Sequence, residues 1–219
     1  MPIARPERIV AAITGASGAL YAQRFVQGLL AAGVETHLVV SPLGRRLLSD
    51  ELGIKKLDEE GLRLLADRDD LSGLVLHNYN DVGDSLASGS FLHDGMVIVP
   101  ASSNTLAEVA AGLGGNLISR AAAVTLKERR RLVIVHREMP PSPIDVDNLK
   151  RLSDAGCVMA SANPGFYLNP QTVGEIVDFV AGKLLDLVGV AHDFDTRWDP
   201  AHPRPPLRYR GGRVEVVND

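Results

Sequence analysis

The sequence Arg8-Ile-Val-Ala-Ala-Ile-Thr-Gly-Ala-Ser-Gly-Ala19 joins a short apolar run to a loop of small residues. The run predicts a buried strand, and the Ala/Leu-rich stretch after the loop predicts a helix. A second junction of this kind is Met96-Val-Ile-Val-Pro-Ala-Ser-Ser-Asn-Thr105. Free N–H groups at a helix N-terminus attract an anion, and small side chains let it approach. Two such junctions, with a Lys/Arg/Glu cluster at 120–138, therefore predict a site for a nucleotide-type ligand.

Predicted strands and helices alternate along the rest of the chain, which is typical of a mainly parallel sheet covered by helices. Besides the two junctions, strands are expected at 35–41, 74–77, 132–136 and 157–160. Helices are expected at 20–32, 43–52, 106–112, 146–155 and 172–188. Residues 55–70 are interpreted as a solvated helix or an excursion, and 81–91 as a loop. We expect one α/β domain over 1–190, then a Pro/Asp-rich tail, 191–219, that cannot keep regular structure for long.

Composition and charge indicate which broad classes of protein this chain can belong to. Of the 219 residues, 45% are hydrophobic and 23% are charged, as in ordinary soluble domains. The net charge of −4 argues against a nucleic-acid surface, which is usually basic. The run after Arg8 is too short for a signal peptide or a membrane span, and the single cysteine, Cys157, indicates a buried thiol in a reducing compartment. We therefore expect a soluble cytoplasmic protein without nucleic-acid or membrane partners.

The loop after the first strand does not fit the dinucleotide fingerprint. Gly15 and Gly18 stand three residues apart with no third glycine, and no tyrosine is followed four residues later by a lysine. Both absences disfavour nicotinamide oxidoreduction. The loop, with its one hydroxyl at Ser17, better suits a mononucleotide phosphate, and the alternative is a tight turn without a ligand.

Polar residues also follow two other predicted strands. The stretch 102–105 is typical of a helix N-cap and equally of an anion site, and the two roles are compatible. Arg137 and Glu138 come directly after a strand, where open α/β sheets place their ligand crevice. An arginine and an acid at that position are suited to phosphate binding and proton transfer. The alternative is a surface ion pair.

Four further residues have structural explanations as well as functional ones. Lys127 opens a charged run that by default ends a solvated helix. Lys183, at the edge of an apolar stripe, can reach water along a buried stem. Glu51 can simply be exposed at a helix end, and Tyr167 can pack onto the helix that follows it. The histidines are dispersed without metal-ligand spacing, so no metal site is expected.

Taken in order and spacing, these stretches resemble the UbiX family of flavin prenyltransferases from about residue 8 to residue 190. The markers are Ile-Thr-Gly-Ala-Ser-Gly-Ala (13–19), Ala-Ser-Gly-Ser-Phe (87–91), Pro-Ala-Ser-Ser-Asn-Thr-Leu-Ala (100–107), Asn-Leu-Ile-Ser-Arg-Ala-Ala (116–122), Leu-Lys-Glu-Arg-Arg-Arg-Leu-Val (126–133), Arg-Glu-Met-Pro (137–140) and Pro-Gly-Phe-Tyr (164–167). The resemblance implies a Rossmann-like, flavodoxin-type parallel sheet with helices on both faces. It also implies homo-oligomers, namely dodecamers, with sites at subunit interfaces.

The resemblance further implies that reduced FMN is the substrate and dimethylallyl phosphate the prenyl donor, with no metal required. The prenyl group would be joined to N5 and C6 of the flavin, and the product would serve as the cofactor of UbiD-type decarboxylases. The flavin-binding residues would be Gly15, Ala16, Ser17, Ser41, Ser102, Ser103, Asn104, Thr105 and Arg137.

The resemblance assigns the remaining site residues to the prenyl donor and to catalysis. Tyr167 and Lys183 would bind the prenyl phosphate, although many members have arginine in place of Lys183. Glu138 would be the main acid/base group. The catalytic set would be completed by Glu51, Ser17, Lys127 and Arg120, of which Lys127 and Arg120 would act from the subunit interface.

Two other functions remain open on the sequence. An FMN-dependent cysteine decarboxylase of the same fold would carry a Pro-x-Met-Asn motif and a histidine in an early helix. This chain has Pro164-Gly-Phe-Tyr instead and no histidine in residues 1–34. A non-catalytic FMN carrier would need the phosphate-binding loops but not the combination of Glu138, Lys127 and Tyr167.

Overall fold

Six strands form one sheet that is parallel throughout. The computed structural model describes residues 5–201 and 204–217. The strands are β1 (Arg8–Ile13), β2 (Glu35–Val40), β3 (Leu74–His77), β4 (Gly95–Ala101), β5 (Arg131–His136) and β6 (Val158–Ser161). Their order, β3-β2-β1-β4-β5-β6, is that of the doubly wound Rossmann sheet. The predicted α/β class with a parallel sheet is therefore confirmed.

Helices cover both faces of the sheet because its strands are apolar on both sides. In β1, Ile9 and Ile13 face one buried core and Val10 faces another. The first core lies under α1 (Ala19–Ala31), α2 (Pro42–Leu52), α3 (Glu59–Ala66) and α7 (Val173–Leu187). The second lies under α4 (Ser103–Ala110), α5 (Leu117–Lys127) and α6 (Pro143–Asp154). Over the described residues, none of these helices has the length and apolarity needed to cross a membrane.

Two helices differ from the prediction for reasons that lie in their caps. Helix α6 begins at Pro143, earlier than predicted, because Ser142 and Asp145 form a capping box. The Ser142 Oγ accepts from the Asp145 N–H at 3.1 Å, and Asp145 Oδ2 accepts from the Ser142 N–H at 2.9 Å. Helix α5 was not predicted as a separate element. It begins after Asn116, whose Oδ1 accepts from the Ser119 N–H at 3.0 Å.

The tail has more regular structure than its proline content predicts. Residues 191–201 lie against α1 and α7, where the Phe194 ring packs under the Arg24 guanidinium at 4.0 Å. Strands β7 (Leu207–Arg210) and β8 (Arg213–Val216) then form an antiparallel hairpin. Its turn is Gly211-Gly212, with φ of 57° and 81°, and such left-handed values favour glycine. A glycine pair between two strand-like stretches is typical of such a hairpin, and it was overlooked in the sequence.

Candidate functional site

The carboxyl ends of the parallel strands bring the predicted site loops to one edge of the sheet. The strand order reverses between β1 and β4, so the ligand crevice of such a sheet is expected there. Thr14 joins the two junctions at this point. Its Oγ1 donates to the Pro100 carbonyl at 2.9 Å and accepts from the Ser102 N–H at 2.9 Å. The loop after β1 and the loop after β4 therefore form one bonded unit.

The N-terminus of α1 already holds an anion, and that anion is the side chain of Glu51. Its Oε2 accepts from the Gly18 N–H at 3.1 Å and from the Ala19 N–H at 2.8 Å. Glu51 is therefore not simply an exposed helix end, because it is bound to amides whose helix dipole favours negative charge. The N–H groups of Gly15 and Ser17 make no hydrogen bond with the described part of the chain, which leaves them available to a ligand.

The loop after β1 is also held by close packing against α2. A Cβ on Gly15 would lie 2.4 Å from the Leu43 Cβ, so only glycine fits there. Ser41 caps α2 by accepting from the Gly44 N–H at 3.0 Å. Ala16 is buried, whereas Ser17 at the tip of the loop is exposed. Packing of Gly15 and capping by Ser41 thus fix the backbone on which Ser17 is presented.

The stretch 102–105 acts as the N-cap that its sequence predicted. The Ser102 Oγ accepts from the Thr105 N–H at 3.3 Å, and its hydroxyl lies 3.2 Å from the Thr105 Oγ1. Asn104 is exposed and donates to Glu108 at 2.8 Å. Ser103 lies 3.1 Å from the His136 Nε2. The start of α4 lies directly after the carboxyl end of β4, where an anion site is expected.

A polar network beneath this loop was missed by sequence reasoning. The His136 Nε2 that contacts Ser103 also lies 3.8 Å from Asp145 Oδ1, and both His136 and Asp145 are buried. Hydrogen bonds from Ser142, led by that of its hydroxyl, hold the pKa of the Asp145 carboxyl below its ordinary value. The only sequence signal was the Ser142-x-x-Asp145 spacing, which indicates a cap but not its contact with β5.

Arg137 lies at the edge of the crevice, and one of its hydrogen-bond donors has no acceptor among the described residues. Its backbone N–H donates to the Ala101 carbonyl at 3.2 Å, next to the start of α4. Its Nε is buried and has no hydrogen-bond partner in the described residues. Glu138 is exposed and accepts from the Met139 N–H at 3.1 Å. The surface ion pair considered for Arg137 and Glu138 is not formed.

Tyr167 and Lys183 line one shallow pocket of about 270 Å³. The Tyr167 ring packs edge-on against Phe179 at a centroid distance of 5.7 Å and against Trp198 at 6.1 Å. Lys183 is exposed, and it makes no hydrogen bond or ion pair within residues 5–201 and 204–217. Sequence reasoning paired these two residues, but the contribution of Trp198 from the tail was not predicted.

Arg120 and Lys127 lie on α5, away from that pocket. Arg120 is exposed, and Lys127 forms a 3.1 Å ion pair with Glu128. The pair lies beside Gly89, where a Cβ would be 2.2 Å from the Glu128 Oε1. Over the described residues, neither Arg120 nor Lys127 is bonded to Tyr167, Lys183 or Glu138.

Two other predictions concern metals and the thiol. Among the described residues there is no cluster of three or more His, Cys, Asp and Glu side chains placed to hold a metal ion. Cys157 is buried, and that burial raises the pKa of its thiol to about 11. The thiol therefore stays protonated at neutral pH, as expected of a structural cysteine.

Known proteins share both the sequence and the fold. The profile of the Flavoprotein family matches residues 4–185. The flavin prenyltransferase UbiX of Thermoplasma acidophilum is 46% identical over 193 residues, which cover 87% of this chain and 99% of that protein. A crystal structure of AnUbiX (PadA1) in complex with FMN and dimethylallyl pyrophosphate is 38% identical, with a TM-score of 0.78 over 89% of this chain and 98% of that one.

Two further structures differ in how similar they are to this chain: one shares sequence and fold, and the other shares the fold alone. A dodecameric FMN-dependent UbiX-like decarboxylase from Escherichia coli O157:H7 is 38% identical, with a TM-score of 0.78 over 88% of this chain and 99% of that one. The FMN-dependent cysteine decarboxylase SpaF is 19% identical, with a TM-score of 0.53 over 70% of this chain and 83% of that one, so it shares the fold alone. The chain therefore belongs to the flavoprotein family and, within it, to the UbiX flavin prenyltransferases.

Proposed function

We propose that this chain is a flavin prenyltransferase that joins the dimethylallyl group of dimethylallyl phosphate to N5 and C6 of reduced FMN. Family membership supports the reaction type. The observation that carries the proposal is the buried, unpartnered Nε of Arg137 at the carboxyl edge of the sheet. A buried donor without an acceptor costs free energy, and a ligand acceptor would satisfy it. Bound reduced FMN would supply the two nucleophilic atoms of the new ring.

Hydrogen-bond donors at the crevice between β1 and β4 support binding of a flavin mononucleotide there. The unbonded N–H groups of Gly15 and Ser17 and the start of α4 offer donors to a phosphate. The proposed flavin-binding residues are Gly15, Ala16, Ser17, Ser41, Ser102, Ser103, Asn104, Thr105 and Arg137. Glu51, held by the N-terminus of α1, would fix the loop that presents Ser17.

The prenyl phosphate would bind at Tyr167 and Lys183. Departure of the phosphate leaves an allylic carbocation, and cationic side chains stabilise the charge on the leaving group. Lys183 is an exposed cation without a partner in the described chain, as that role requires. Arg120 and Lys127 would add charge from a neighbouring subunit, because on α5 they are separate from this pocket. Glu138 would act as the main acid/base group.

The wider assignment follows from the family. The prenylated flavin would be the cofactor of a UbiD-type decarboxylase. The chain would act in the cytoplasm as a homo-oligomer, and the dodecamer of the Escherichia coli relative supports that assembly. Residues 1–190 would form the flavin-binding domain, with 191–219 as an added tail.

Glu138→Gln tests the proposed reaction. The variant should bind FMN as the wild type does but form prenylated flavin roughly 100-fold more slowly, because it lacks the acid/base group. Glu215→Gln on the exposed hairpin makes the same change away from the site and should keep full activity. Wild-type turnover by Glu138→Gln would refute the acid/base role. A carrier would bind FMN in all three proteins and form product in none.

A further inference from the structure

The segment 191–201 is docked onto α7 at a gap left by Gly182. A Cβ on Gly182 would lie 3.0 Å from both the His192 Cε1 and the Thr196 Oγ1. A Cβ on Gly28 of α1 would be in ordinary contact with the Phe194 Cζ at 3.4 Å, and its nearest neighbour would be the Leu185 Cδ1 at 2.6 Å. The His192 and Thr196 side chains therefore occupy space that a larger residue at Gly182 would fill. The segment is therefore closely packed against the protein.

Asp186 of α7 fixes the segment next to the prenyl-donor pocket. Its Oδ1 lies 2.9 Å from an Arg197 guanidinium nitrogen and 3.4 Å from the His192 Nε2. At the next residue, the Trp198 ring packs against Tyr167. Docking of the segment thus places Arg197 and Trp198 beside Tyr167 and Lys183, and all four line the same pocket.

The pocket has an excess of positive charge. Lys183 has no partner in the described residues, and Arg197 uses only one of its nitrogens on Asp186, with 66% of its side chain exposed. Two cations and one carboxylate thus line this pocket, while Asp195, Asp199 and Arg204 line the adjoining cavity that Arg197 also reaches. A guanidinium binds phosphate through a fork of N–H groups that the single ammonium of a lysine lacks.

We propose that Arg197, on the segment that follows α7, is a second phosphate-binding cation of the prenyl-donor pocket. The inference rests on the proposed prenyl transfer and deepens it. With Lys183 on one phosphoryl group and Arg197 on the next, the pocket accepts dimethylallyl diphosphate as well as the monophosphate. Arg197 then sets the preference between them, because the diphosphate offers a second anionic group.

The test compares Arg197→Ala, Arg197→Lys and Asp186→Asn in the full-length chain, with Arg210→Ala on the hairpin as the charge-matched control. Two quantities are measured: the KM for each donor in flavin prenylation, and the Kd of inorganic pyrophosphate by titration calorimetry. Arg197→Ala should raise the KM for the diphosphate and the Kd of pyrophosphate about tenfold, the worth of a lost charge-assisted hydrogen bond. The KM for the monophosphate should rise less. Arg197→Lys should recover part of the loss.

Asp186→Asn separates phosphate binding from anchoring of the segment. If Arg197 binds phosphate, removing the nearby carboxylate lowers the Kd of pyrophosphate or leaves it unchanged. If Arg197 only anchors the tail through Asp186, Asp186→Asn weakens binding as much as Arg197→Ala does, and the inference is overturned. Arg197→Ala behaving like Arg210→Ala in both assays also overturns it. A third result is possible: the wild type binds pyrophosphate in a way that depends on Arg197 but forms no prenylated flavin. That result would refute the proposed reaction and leave the role of Arg197 in phosphate binding intact.

Discussion

At the scale of single residues, the proposed flavin site is defined by the hydrogen-bond donors that have no acceptor within the described part of the protein. Gly18 and Ala19 are satisfied internally by Glu51, and Thr14 is bonded to both loops. The Nε of Arg137 is the opposite case, because it is buried without an acceptor in the described chain. Such a group destabilises the free protein and favours binding of a ligand that accepts its hydrogen bond. The proposed flavin site therefore leaves this donor unsatisfied until a ligand binds.

Replacing Arg137 should weaken flavin binding more than it changes the fold. Arg137→Ala should raise the Kd of FMN roughly tenfold or more, since a hydrogen bond from a charged group contributes about 1.5–3 kcal/mol. Quenching of flavin fluorescence measures this Kd. Arg151→Ala, an exposed arginine on α6, is the matched control and should bind FMN normally. Equal affinity of both variants would remove Arg137 from the flavin site.

A histidine in β2 should make stability depend on pH. Burial lowers the pKa of His37 from its ordinary value of 6.5, opposed by the hydrogen bond to Glu35 at 2.7 Å. The unfolded chain then binds a proton below about pH 6.5 that the folded chain does not, so acidification through this range reduces stability. The His77 ring, 2.7 Å away, faces the other nitrogen of His37.

Urea unfolding of wild type and His37→Gln at pH 8 and pH 5.5 checks this sign. The variant loses the contacts to Glu35 and His77, so it should be less stable at pH 8. Its deficit relative to wild type should shrink at pH 5.5, where only the wild type has the histidine to protonate on unfolding. A deficit that grows on acidification would mean that the folded protein prefers the charged imidazole.

At the scale of elements, the loops at the strand ends are fixed by the helices packed on them. Gly15→Ala should destabilise the protein by about 1–3 kcal/mol, because its Cβ would overlap Leu43 of α2 at 2.4 Å. The same overlap displaces the loop after β1, so FMN affinity should fall with the melting temperature. Gly115→Ala is the control, since its Cβ meets nothing within 4 Å. An unchanged melting temperature for Gly15→Ala would show that α2 can move away without cost.

The sequence predicts elements well where one local pattern decides them. The apolar runs became β1, β4 and β5, and Ser102 after β4 caps α4, as predicted for the stretch 102–105. The failures concern contacts between distant segments. The bonding of Thr14 to Ser102, the network of Ser103, His136 and Asp145, and the docking of the tail on α7 all join residues far apart in the chain. Only strand register and helix packing bring them together, and neither is readable from local periodicity.

At the scale of the whole molecule, the proposed site needs more than one subunit. Arg120 and Lys127 lie on α5, separate from Tyr167 and Lys183. Co-expression of Lys127→Ala with Tyr167→Phe should therefore recover activity that each variant lacks alone, because some interfaces combine the two intact residues. The control is each variant co-expressed with itself. No recovery in mixed oligomers confirmed by mass spectrometry would place all four residues in one subunit.

The mass of the flavin after anaerobic incubation of the protein with reduced FMN, dimethylallyl phosphate and a chelator tests the central claim most directly. Prenyl transfer predicts a gain of one C5H8 unit. The C5H9 group forms bonds to N5 and C6, which each lose a hydrogen, and one proton is taken up at the former alkene carbon while inorganic phosphate is released. The gain should persist with the chelator present. Recovery of bound FMN at its original mass, from protein that binds it tightly, would contradict the assignment of this chain as a prenyltransferase.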